Sequence, residues 1–127
     1  MRAGELRIGN WVANHEGFPV VVLEIDRAMV LIDSSRDPKC FNTNNVHVKS
    51  LVAIPLTPDL LETAGCIRFS HSSSVINYKF TGFNSWFNAD MKHFAIDFGK
   101  QCIAVHRLHE LQNLHFVLTG DEIEIKL

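Results

Sequence analysis

Between Cys66 and Val105 the chain is never far from a turn. Extended-favouring runs follow one another there: CIRFS, VINYKF, a shorter one around Trp86-Phe87, then HFAIDF and CIAV. They are broken at Ser72-Ser73, Thr81-Gly82, Ala89-Asp90 and Gly99-Lys100. Links this short permit hairpins but not the crossovers of about a dozen residues that parallel pairing needs. The stretch therefore reads as an antiparallel meander, and it gathers most of the aromatic side chains, among them Phe69, Tyr78, Phe80, Trp86, Phe87 and Phe94.

A smaller meander precedes it. Leu6, Ile8 and Trp11-Val12 lead to a turn at His15-Glu16-Gly17, Pro19–Ile25 is β-branched, Asp26-Arg27 turns the chain, and Met29–Ile32 follows. Short strands at this spacing predict a curled, SH3-like sheet. Residues 34–45, SSRDPKCFNTNN, form a polar connection that reads as a mobile loop, and VHVKSLVAI at 46–54 alternates as a strand does. Then comes IPLTPDLLETAG. Thr57 fits an N-cap, Pro58 the first helical position, Asp59 the positive helix end and Gly65 the position just past the C-terminus, which predicts a two-turn helix burying Leu60 and Leu61.

The longest helical pattern is LHELQNLHFVLTG at 108–120. Leu108, Leu111, Leu114, His115 and Leu118 form the apolar stripe of a core helix, and Gly120 ends it. His109, Gln112, Asn113 and Phe116 fall toward the opposite side. They read as a solvated face, as a contact patch anchored by Phe116, or as a packing seam to another layer. The final residues, Ile123–Leu127, alternate strictly and predict an edge strand. The fold class is thus α+β: an N-terminal SH3-like β-meander, a short helix, an antiparallel aromatic-rich meander, one longer helix and a C-terminal edge strand. One compact domain over 1–127 is expected, with sub-lobes 1–54 and 55–127.

Composition narrows the function classes. With 127 residues, 46% apolar and 20% charged, the chain is ordinary globular material. It can bury roughly two thirds of its unfolded surface without a disulfide or metal. A formal charge of −2 offers no basic stripe for tight backbone-driven nucleic-acid binding. Cys40, Cys66 and Cys102 are far apart and odd in number, which fits a reducing compartment. The N-terminus lacks the apolar core of a signal peptide, and no apolar run approaches the ~20 residues of a membrane helix. A cytoplasmic protein with no membrane partner is the expectation.

Specific chemistries find little support. His106 and His109 sit three apart, but H-E-x-x-H is absent because Asn113 stands where the second histidine would be. A metal there would need a third ligand, for instance His93 or Asp97. HSSS at 71–74 lacks the nucleophile elbow and reads as a hairpin turn. No phosphate-binding glycine loop occurs, and no cofactor is implied. The sheet aromatics can stack bases only if they lie on an open face beside Arg68, Lys79 or Lys92; core filling is the stronger reading, although a pocket for a smaller planar ligand such as a nucleotide stays open.

Three stretches in order along the chain, GELRIGNWV, IPLTPDLLETAG and LHELQNLHFVLTGDEIEI, resemble a family of small proteins from phages, prophages and mobile elements of Bacteroidetes. The resemblance covers about a third of the chain and brings no catalytic residue or cofactor with it. It implies a bacterial cytoplasm under phage influence. The resulting expectation is a non-enzymatic protein acting by stoichiometric binding, as an inhibitor of bacterial immunity that docks on a host defence protein or sequesters a nucleotide-derived signal. The binding residues on this reading are His109, Gln112, Asn113, Phe116 and Trp86. The alternatives are a nucleic-acid-associated factor using the SH3-like lobe and a small nucleotide hydrolase. Self-association, through the terminal strand or loop 34–45, also stays open.

Overall fold

The computed structural model describes residues 1–39 and 42–127. Cys40 and Phe41, in the middle of the polar connection expected to be mobile, lie outside the described residues. The architecture is α+β, with a four-stranded and a five-stranded antiparallel sheet, short helical turns and one longer helix near the C-terminus. The chain divides into two compact units: Met1–Ile54 with Leu108–Asn113, and Pro55–Arg107 with Leu114–Leu127.

The first unit is built on the meander β1 (Trp11–Ala13), β2 (Pro19–Asp26), β3 (Met29–Asp33) and β4 (Thr43–His47), neighbours in sequence order. Val12, Val20, Val22, Val30 and Ile32 alternate inward and are essentially sealed from solvent, joined by Leu6, Val48 and Leu51. Those β-branched side chains suit a pleated, half-buried surface. The strand expected over Val46–Ile54 is displaced. Pairing begins earlier, with Asp33 opposite Thr43, and Val48–Ser50 is a 3-10 turn instead. Local side-chain bonds explain the change: His47 Nδ1 accepts the Lys49 N–H at 3.1 Å, and Ser50 Oγ donates to the His47 carbonyl at 2.8 Å.

The second unit opens with α1 (Pro58–Thr63), whose N-cap Thr57 accepts the Leu60 N–H at 3.2 Å. Leu61 is fully buried, while Leu60 is only half-buried. The meander follows as β5 (Ile67–His71), β6 (Val75–Phe80), β7 (Phe83–Asn88), β8 (His93–Asp97) and β9 (Cys102–Val105), in that spatial order. The β6–β7 hairpin turns on Thr81 (φ 47°) and Gly82 (φ 85°), the double positive φ that matches the twist of paired strands. One sheet face carries Tyr78, Phe80, Phe87, Phe94 and Ile96, all buried, with Tyr78 and Phe80 each edge-on to Phe94.

Helix α2 spans Leu108–Thr119 and ends on Gly120 at φ 77°, whose N–H returns to the Phe116 carbonyl. The expected terminal edge strand does not form: the residues after Gly120 belong to no strand. His115 Nδ1 and the Thr119 hydroxyl both bond the Asp121 carbonyl, and the Asp121 N–H donates to Thr119 Oγ1. The alternation survives in burial without strand pairing: Ile123 is buried, Ile125 and Leu127 are half-buried, and Glu124 and Lys126 are exposed.

Candidate binding face

Of the four residues read as an outer helix face, two are not outside. His109 is 3% exposed and Gln112 is 2% exposed; Asn113 is half-buried, and Phe116 alone is exposed. A contact patch made of all four is therefore excluded, and for Gln112 and Asn113 the packing-seam alternative describes what the side chains do.

What they do is complete the backbone of a tight loop. Residues 7–10 approach β1 without strand partners for every polar group, and buried backbone groups left unpaired are costly. Gln112 Oε1 accepts the Trp11 N–H at 2.8 Å, and Gln112 Nε2 donates to the Gly9 carbonyl at 3.2 Å. Asn113 Oδ1 accepts from Asn10 Nδ2 at 2.8 Å and from Arg7 Nε at 3.2 Å, while its amide nitrogen donates to the Glu5 carbonyl. Asn10, itself fully buried, uses its Oδ1 to accept the Arg7 N–H. This is a structural network of amides within the first unit.

Trp86, the fifth candidate, is placed differently. It lies in the second unit on the sheet face opposite the aromatic core. The register sets Asn77, Trp86, Ala95 and Ala104 side by side across β6 to β9. Ala95, beside the indole, is buried at 4% exposed, so the row is covered at its centre. Trp86 is half-buried, Asn77 is half-buried and Ala104 is exposed. On one side of this row Asn88 stands opposite His93, and the His93 ring meets the His106 ring. On the other, Lys79 pairs with Asn84 and Asp97 with Cys102.

The β5 end of the same face is apolar and open. Ile67 is 68% exposed and Phe69 56% exposed. Lys79 Nζ sits 5.9 Å from the Phe69 ring centre and donates to Asn84 Oδ1. Lys79 also lines a hollow of about 280 Å³ with Gly65, Gly82, His115 and Ile123. The face thus offers an indole for stacking, amides for hydrogen bonding and one ammonium about 7 Å along the strand direction, two residues being one pleat repeat.

Sequence reasoning picked out Trp86 but missed its neighbours. The signal was available: 77, 86, 95 and 104 recur every nine residues, the repeat of strands joined by short turns. Among the described residues no group of three or more His, Cys, Asp or Glu side chains gathers as a metal cluster, and no helix is long and apolar enough to cross a membrane. Comparison with protein-family models, curated proteins and solved structures finds no match, so the functional reading rests on the chain's own residues.

Proposed function

We propose that this is a stoichiometric binding protein whose ligand is a nucleotide-type signal, held on the outward face of the five-stranded sheet. One observation carries the reading: Trp86 lies half-buried between Asn77 and Ala95, in a row that runs across the sheet from Ser70 to Ala104. A base stacked on the exposed part of the indole would meet the side-chain oxygen of Asn77, whose Nδ2 is held by Ser70 Oγ, and Lys79 lies within reach of an attached phosphate. Stacking is sequence-tolerant and needs few charges, which suits a chain of formal charge −2. The resemblance to Bacteroidetes phage and mobile-element proteins adds the setting: a bacterial cytoplasm, where sequestering an immune signal is useful to an invader. The protein acts by retention rather than turnover on this reading.

The exposed Ile67 and Phe69 favour a second reading, docking of the β5 edge on a host defence protein. Nucleic acid, met through the SH3-like lobe, ranks below both because the chain lacks a basic stripe.

Fluorescence titration separates them. In a Trp11→Phe background Trp86 is the sole indole, and cyclic nucleotides, cyclic dinucleotides and ADP-ribose derivatives are titrated in turn. Saturable quenching that Trp86→Ala or Lys79→Ala weakens, with intact ligand recovered after denaturation, is the expected result. Recovery of altered ligand means turnover. Silence across the panel, with a host protein captured by the native chain and lost in Ile67→Asp/Phe69→Ser, moves the assignment to docking.

A further inference from the structure

We infer that the ligand of this face carries two bases joined by a phosphodiester, one stacked on Trp86 and the other on Phe69. The inference rests on the nucleotide reading and narrows it to the dinucleotide class. Phe69 falls in the irregularity between Arg68 and Ser70, where β5 has a residue that β6 does not oppose. No cross-strand neighbour covers it, and it is 56% exposed. The Lys79 ammonium lies 5.9 Å from its ring centre, which sets the ring beside the outward face.

The spacing of the two rings selects the ligand. Trp86 is on β7 and Phe69 on β5, with β6 between them. Neighbouring strands run about 4.8 Å apart, so the two side chains spring from backbones roughly 10 Å apart. Bases stacked on one another, about 3.4 Å apart, cannot contact both rings. A splayed dinucleotide can, each base exchanging its neighbour for a protein aromatic, as unstacked bases do on aromatic-bearing sheets. The intervening strand supplies what the link needs. Asn77 stands between Ser70 and Trp86, and Lys79 follows about 7 Å along β6, opposite the exposed Ile67. Lys79 Nζ donates to Asn84 Oδ1, and an ammonium has two further N–H donors for a phosphate oxygen. Arg68 is drawn away to Glu62, 4.0 Å distant. A lone ammonium between the rings matches the single charge of a phosphodiester, whereas a polyphosphate would crowd several charges onto it.

The test compares one base with two at equal charge. In the Trp11→Phe background, Trp86 fluorescence is titrated with adenylyl-(3′,5′)-adenosine and with the methyl ester of AMP, each carrying one negative charge. The dinucleotide is expected to bind about tenfold more tightly or better, the gain of one further stacked base. Phe69→Ala brings it down to the mononucleotide level, and Phe69→Tyr, which keeps the ring, keeps the preference. Val117→Ala, at an exposed position of α2, alters neither affinity. Circular dichroism checks that the variants fold. Equal affinities, or a preference that survives Phe69→Ala, overturn the inference while the stacking on Trp86 stands. A Trp86 signal that neither ligand changes removes the nucleotide reading and the inference with it. Hexa-adenylate binding no tighter than the dinucleotide supports a free ligand; markedly tighter binding that falls steeply with salt assigns the face to single-stranded nucleic acid and overturns it.

Discussion

Gln112 Oε1 accepts the backbone N–H of Trp11 at 2.8 Å, joining positions 101 residues apart in sequence. The same side chain donates to the Gly9 carbonyl, so one amide closes both ends of the loop leading into β1. Gln112→Leu keeps the volume and removes both bonds. Leaving a buried donor and acceptor unpaired is expected to cost about 2–3 kcal/mol in urea unfolding. A loss below about 0.5 kcal/mol would mean that the loop finds other partners and that the seam is incidental.

Asn10 and Asn113 act through one bond, Asn10 Nδ2 to Asn113 Oδ1 at 2.8 Å. A double-mutant cycle with Asn10→Ala and Asn113→Ala should therefore show a coupling of about 1 kcal/mol, because the second substitution removes a partner already lost. Simple additivity would place the two amides in separate networks.

These two cases mark the limit of what the sequence discloses. The meander from Ile67 to Val105 was legible because each hairpin carries its own local signal, Thr81-Gly82 most clearly. The α1 helix was legible through Thr57, Pro58 and Gly65, each acting on its nearest neighbours. The amides of α2 were not, since a polar helix face looks the same whether water or a distant loop supplies its partners. Only the arrival of residues 7–10 decides between them. Ile123–Leu127 shows the converse: strict alternation sets which side chains turn inward, Ile123 most of all, but it supplies no partner strand, and none pairs with it. In the sequence Trp86 stands among the other aromatics of the meander; that it faces away from them follows from its register with Asn77 and Ala95 on other strands.

Gly120 closes α2 in a left-handed conformation, at φ 77°. A Cβ built there meets nothing within 4 Å. Gly120→Ala thus tests backbone conformation without steric contact, and a loss of about 1 kcal/mol is expected from the unfavourable φ alone. Thermal unfolding unchanged from the native chain would show that the helix end relaxes to a right-handed cap.

Alkaline pH should unfold the protein through two buried acids. Burial pushes the Cys66 thiol from 9.0 up to about 12. Burial also pushes the Tyr78 phenol from 10.0 up to about 12, assisted by the Glu62 carboxylate beside it. In both cases the native state holds its proton to higher pH than the unfolded chain does. Between the two values the unfolded chain binds fewer protons, so stability is fully present below about pH 9 and falls progressively as pH rises toward 12. The chain has a single tyrosine, which makes phenolate absorbance a report on Tyr78 alone. That absorbance should rise together with the loss of circular dichroism. Ionisation near the ordinary value of 10.0 in a protein that remains folded would contradict the burial argument. The thiol provides an independent check. In a Cys40→Ser/Cys102→Ser variant, Cys66 should resist a chromogenic disulfide reagent at neutral pH and react promptly once urea has unfolded the chain, because a buried neutral thiol offers the reagent neither access nor thiolate.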